Sequence, residues 1–177
     1  MTKINERQLI AIVQESLPYD TSFFQQLITP YLPLLKGYCA KLLNNSSDAE
    51  DVVQETIIKA LTHLQSFKWV VSFKSWLFKI AHNECINKIR ARRWDNLNEN
   101  DEYLDNAIAV EHSHEDLPSL LSATMEHLSF VDRNIMLLRY RTDLDFQEIA
   151  DICDLKLSAV KMRHKRVIAF LQRKLKE

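Results

Sequence analysis

One glycine and four prolines in 177 residues leave this chain few means of turning tightly. Hairpins and β-turns draw on glycine for positive φ and on proline for a preset φ, so a sheet-rich fold of this length would need many more of both. The composition instead predicts helices with short or extended polar connections. A hydrophobic content of 46% is enough for a buried core, in one domain or two small ones. The chain has no run of about 18 apolar residues, so no membrane insertion is expected. Residues Met1 to Arg7 carry no apolar signal core. Cys39, Cys85 and Cys153 are odd in number and widely spaced, which predicts reduced thiols, a cytoplasmic setting and no zinc site.

The net charge of -1 conceals a strong segregation along the chain. Eight acids and no Lys or Arg lie between Asp95 and Leu117, whereas eight bases and no acid lie between Lys156 and Lys176. A second basic cluster, Lys88, Arg90, Arg92 and Arg93, precedes the acidic stretch. Blocks of like charge repel themselves, and a polyanionic partner for the basic blocks offsets that cost.

Helical periodicity organises the rest. Ile4 to Leu17 reads as a short amphipathic helix, broken at Pro18. A second run extends from Phe23 to Leu43, with Pro30 and Pro33 expected to interrupt it. A third begins near Ser47 and runs to about Ser66. Its Asp48, Asp51 and Glu55 fall at i, i+3 and i+7 on one face, opposite Val52, Val53, Ile57 and Leu61. Such acids suit a helix N-terminus on a solvated surface, or else form a docking face for a basic partner. Phe67 to Ser72 is then a connector rich in aromatics, and Phe73 to about Arg93 is the next helix. Asn83 and Asn87 share an angular face with Trp76 and Ile80, as core amides or as contacts to a partner.

Asp95 to about His114 has few apolar residues and reads as an acidic linker dividing two domains; His112 and His114 within it read as solvated. Beyond Leu117-Pro118, a short helix around Leu120 to Leu128 and another over Arg133 to Tyr140 are expected. Phe146 to Cys153 is a two-turn helix, and about three residues join it to a long basic helix starting at Leu157, a helix-turn-helix pattern. On the last helix Val160, His164, Val167, Leu171 and Leu175 face inward. Ser158, Met162, Lys165 and Arg166 point away, flanked by Lys161 and Arg163, as a groove-reading helix requires.

Three motifs in this order resemble the bacterial RNA polymerase sigma factors of the small extracytoplasmic-function type. Asp48-Ala49-Glu50-Asp51-Val52-Val53-Gln54-Glu55 is similar to their region 2.2, and Phe73 to Asn83 is similar to regions 2.3 and 2.4. Asp145 to Ala150 with Ser158 to Arg163 is similar to region 4. The resemblance implies an all-α protein of two small helical domains. Residues 1–94 would form a region 2-like domain, 95–116 an acidic linker, and 117–177 a region 4-like helix-turn-helix domain. It implies docking of Asp48, Glu50, Asp51, Gln54 and Glu55 on the polymerase β′ clamp, and contact of region 4 with the β flap. Phe67, Lys68, Trp69, Trp76, His82, Asn83, Asn87 and Arg90 would meet the minus-ten element, with Trp69 stacking on a flipped base. Arg92 and Arg93 would add phosphate contacts. Ser158, Lys161, Met162, Arg163, Lys165 and Arg166 would meet the minus-thirty-five element.

By the same resemblance the chain has no catalytic site and no cofactor. An anti-sigma protein, often membrane-bound in this family, would hold it inactive, and the acidic linker would imitate RNA in the polymerase. With the chain ending at Glu177 after the recognition helix, no fused sensor is expected. Met162 and Asp154 depart from the family's usual serine and glycine, which bears on promoter sequence. The alternative reading is a helix-turn-helix regulator that does not dock on the clamp. It explains neither Asp48 to Glu55 nor Trp69 to Asn83. An enzyme would need a nucleophile–base pair, a phosphate-cradling glycine loop or clustered metal ligands, and no such motif is found in the sequence.

Overall fold

The structure, a computed structural model, describes residues 5–95 and 127–174. The acidic linker, its paired histidines, the short helix around Leu120 and Leu175 fall wholly or largely outside the described residues. Every regular element among those described is helical.

Helix α1 (Glu6–Ser16) is opened by a reciprocal cap in which Asn5 and Gln8 satisfy each other's backbone N–H groups. The prolines divide the second run as expected. Helix α2 (Ser22–Ile28) passes through a 3₁₀ turn over Thr29–Tyr31 into α3 (Leu32–Leu43), with Pro30 and Pro33 in first turns, where a missing N–H is tolerated. Asn44, at φ 49, ends α3 in the left-handed conformation that asparagine adopts readily. Asn45 then caps α4 (Ser46–His63) by accepting from the Asp48 N–H. Helix α5 (Phe73–Asp95) is capped in the same way by Ser72, whose hydroxyl oxygen accepts from the Ser75 N–H. The C-terminal unit comprises α6 (Phe130–Tyr140), α7 (Phe146–Cys153) and α8 (Leu157–Lys174). Asp154, at φ 54, makes the turn between the last two in the left-handed region, where its short side chain is tolerated.

The sequence predicts two small helical domains. In the structure the N-terminal and C-terminal helical units meet in one continuous apolar cluster that runs from Ile10 and Leu35 through Leu77 and Phe78 to Leu138, Ile149 and Val160. A smaller cluster of Leu128, Met136, Val167 and Leu171 fastens α8 to α6. Helix α7 lies across α5 and is bracketed from both ends. At its N-terminus the Ser72 hydroxyl donates to Glu148 at 2.6 Å, while Glu148 also closes a reciprocal cap with Asp145. At its C-terminus Lys79 directs Nζ at the carbonyls of Asp151 and Ile152 and at Asp154 Oδ1, each at 2.8 Å. An ammonium there satisfies orphaned carbonyls and opposes the negative end of the helix dipole.

Candidate functional site

Helix α4 presents its acids on two sides. Glu50, Asp51, Gln54 and Glu55 are exposed, and Val52, Val53 and Ala60 opposite them are buried. Asp48 is turned inward. It accepts from Lys88 at 3.1 Å and pairs with Arg92, whose guanidinium also reaches the Leu43 carbonyl. Lys88 bridges to Asp51 at 2.9 Å, and Lys59 links Glu84 at 2.8 Å with Glu55 at 3.7 Å. The sequence expectation therefore needs two corrections. Asp48 ties α4 to α5 rather than standing free for a partner, and Arg92 is consumed by that tie rather than free for phosphate. Arg90 remains exposed, and the side chain of Arg93 lies outside the described residues. A shallow groove lined by Asp51, Glu55, Asn87 and Lys88 runs between the two helices.

The connector Phe67 to Ser72 folds over an aromatic cluster. Phe67 is buried, with ring centroids of Trp76, Trp69 and Phe73 at 5.1, 5.3 and 5.9 Å. Expected as a base contact, Phe67 is the post on which the loop rests, because its ring is enclosed on three sides. Trp69 stands at the loop's outer edge, 38% exposed, with Lys68 and Val70 also exposed. The Arg7 guanidinium lies over the Trp69 ring, 5.1 Å from its centroid. Trp76 is half-buried beneath the loop.

Asn83 and Asn87 are exposed along α5, so they are surface amides rather than core ones. His82 departs from expectation in the opposite sense. It is 5% exposed, enclosed by the C-terminal unit, and stacked on Phe130. Asn134 Nδ2 lies 3.2 Å from His82 Nδ1 and 3.1 Å from Cys153 Sγ, and the buried Tyr38 hydroxyl donates to Asn134 Oδ1 at 2.7 Å. With the Asn134 amide donating, His82 Nδ1 must be unprotonated. Burial first, and then the Lys79 charge, lower the His82 pKa to about 4, so the ring is neutral at neutral pH. His82 is thus part of the seam between the two units and cannot reach a DNA strand in this arrangement. Burial also raises the Cys153 thiol to about 12, which makes it a poor nucleophile.

On α8 the inward face is Val160, Val167 and Leu171, as expected from the periodicity. Lys161, Met162, Lys165, Arg166 and Ser158 are exposed, Met162 by 58%. Arg163 is held by Asp132 of α6 at 3.1 Å and is half-buried, so the structure separates it from the free bases beside it. Tyr140 was not anticipated. Its ring stacks on His164, its hydroxyl lies 2.8 Å from His164 Nε2, and it is 62% exposed beside the basic face. Arg7 was missed as well. Neither has a signal in local spacing, because each meets its aromatic partner from a different helix.

Comparison with known proteins finds two matched spans in the chain. The family model for sigma-70 region 2 matches residues 27–95, and that for sigma-70 region 4 matches residues 119–171. The chain is 28% identical to the ECF RNA polymerase sigma factor SigW of Bacillus subtilis, over 89% of this chain and 91% of that one. It is 27% identical to the ECF RNA polymerase sigma-E factor of Haemophilus influenzae, over 98% and 96%. Among solved structures, the sigma factor RpoE of Bartonella quintana, in complex with the anti-sigma factor NepR, superposes with a TM-score of 0.69 at 26% identity, covering 86% of this chain and 96% of that one. The two matched spans make up more than half of the residues; the first takes in α3–α5 and the second α6, α7 and most of α8. The chain belongs to the sigma-70 family of RNA polymerase sigma factors, in its extracytoplasmic-function branch.

Proposed function

We propose that this sigma factor docks on the β′ clamp of core polymerase through Glu50, Asp51, Gln54 and Glu55. The observation that carries this reading is the two-sided α4. Its Asp48 side is tied to α5 by Lys88 and Arg92, while Glu50, Asp51, Gln54 and Glu55 are exposed, Asp51 and Glu55 being held in place by surface pairs with Lys88 and Lys59. A fixed row of carboxylates steers and orients a basic partner without the ordering cost that a mobile row would carry.

In the same reading the minus-ten element meets the Trp69 loop. Trp69 offers the flat face on which an extruded base stacks, and Lys68, Asn83, Asn87 and Arg90 follow the strand along α5. The minus-thirty-five element meets α8 as duplex. There Lys161, Lys165 and Arg166 contact phosphates, and Ser158 and Met162 face base edges. Region 4 contacts the β flap. No bond is made or broken by this chain; the polymerase supplies the chemistry, and the factor works in the cytoplasm. The RpoE–NepR complex supports an anti-sigma partner of similar kind.

Charge reversal tests the docking. Labelled wild-type protein should bind purified core polymerase tightly by anisotropy. Asp51→Lys/Glu55→Lys should weaken binding at least tenfold, because two attractive contacts become repulsive. Equal affinities for the two proteins would place the clamp contact elsewhere.

A further inference from the structure

Helix α1 precedes the span matched by the region 2 model, which starts at residue 27, so no matched region assigns it a role. The structure nevertheless builds it into the base of the Trp69 loop. Ile10 and Val13 are fully buried in the shared core. The Gln14 side-chain amide donates to the Leu64 carbonyl at 2.8 Å and the Phe67 carbonyl at 3.1 Å, at the point where the loop leaves α4. Gln65 returns a bond to the Leu17 carbonyl at 3.1 Å. Helix α1 is therefore a rigid support whose first turn sits at the loop's outer edge, and from that turn Arg7 reaches over Trp69. Its neighbour Glu6 is engaged by the Tyr31 hydroxyl.

We propose that Arg7 is a nucleic-acid-binding residue of the minus-ten site. In the free protein its guanidinium covers the Trp69 face. On promoter opening it yields that face to the extruded base and pairs with the phosphate of the same nucleotide. The proposal rests on the assignment of Trp69 as the stacking residue. A base and a guanidinium cannot occupy one ring face together, and base stacking on an aromatic is the stronger contact where both are solvent-exposed. The displaced guanidinium stays tethered beside the nucleotide, and its planar fork of N–H donors matches phosphate oxygens. The covered ring face also spares the free protein an unpartnered tryptophan surface.

The test uses holoenzyme reconstituted from core polymerase, with a promoter fragment recovered from transcription selection and built with an unpaired minus-ten segment. Affinity is measured across a salt series for wild type, Arg7→Ala, Arg7→Lys and Trp69→Ala. Arg7→Ala should lower affinity about threefold to tenfold and reduce the log–log salt slope by about 0.7, the value for one phosphate contact on a single strand. Arg7→Lys should keep the slope. A merely structural Arg7–Trp69 contact would leave the slope unmoved. Unchanged affinity and slope in Arg7→Ala, with Trp69→Ala weakened, overturns the proposal and leaves the Trp69 assignment standing. Tighter binding by Arg7→Ala also overturns it, because the guanidinium would then only obstruct the ring. If Trp69→Ala binds as wild type does, the stacking assignment fails and the proposal falls with it.

Discussion

Replacing Asn134 with alanine tests the seam between the two units at its most connected residue. Asn134 is 1% exposed and joins α6 to Tyr38 of α3, His82 of α5 and Cys153 of α7. Alanine would remove the 2.7 Å acceptor of the buried Tyr38 hydroxyl and the amide donor to His82 Nδ1, leaving these two groups only their longer 3.4 Å contact with each other. With that contact left to hold the pair, the loss is close to that of one stranded buried group, so docking of the C-terminal unit should weaken by about 1–3 kcal/mol. His82 reports the result directly. Docked, its pKa is lowered to about 4 by burial; undocked, it should titrate near the ordinary value of about 6.5. The sign follows from proton counting. Between pH 6.5 and 4 the undocked or unfolded state binds a proton that the docked state does not, so docking weakens as pH falls through that window. Above about 6.5 it is unaffected. Over the full window the loss amounts to about 3 kcal/mol. Proton NMR titration of the histidine rings, with His82 assigned from a His82→Gln variant, should show about 4 in the wild type and a clear rise in Asn134→Ala. A wild-type value near 6.5 would show that the seam does not exist in solution. An unchanged low value in Asn134→Ala would show that Asn134 does not hold it.

Further outcomes follow from particular contacts. Asp48→Ala should lower stability in urea by about 1–2 kcal/mol, because its partly buried carboxylate joins Lys88 and Arg92; Asp51→Ala, whose side chain is 60% exposed, should change it by under about 0.5 kcal/mol. A Cβ on Gly37, the chain's only glycine, would lie 1.9 Å from Arg141 Nη2. Gly37→Ala should therefore show its helix gain of about 1 kcal/mol fully only alongside Arg141→Ala, which a double-mutant cycle in urea measures. Lys165→Ala should reduce the salt slope for duplex minus-thirty-five DNA by about 0.9 and weaken binding across sequences rather than at one base pair.

What the sequence reveals of this molecule is what helical periodicity and local caps encode. Asn45 before α4, the Asp145–Glu148 cap of α7 and the left-handed Asp154 are local events, visible within four residues, and the inward face of α8 follows from spacing alone. The seam is different. Ser72–Glu148, Lys79–Asp154 and Tyr38–Asn134 join residues 76, 75 and 96 positions apart, and none of these side chains differs in type from a solvated polar residue. The family resemblance implies DNA contacts for His82 and Phe67, whereas a second helical layer encloses one and an aromatic cluster the other. The acids of α4 show the same limit. Their shared face is legible, but the diversion of Asp48 toward Arg92 depends on where α5 crosses, which periodicity does not specify.

Run-off transcription with purified core polymerase tests the central claim most directly. On a pool of promoter-bearing fragments, the wild-type chain should direct specific transcripts from a restricted set, and Asp51→Lys/Glu55→Lys should abolish them while leaving duplex DNA binding by α8 intact. Absence of any specific transcript with the wild type would contradict the account, and full activity in the double variant would contradict its assignment of the α4 acids.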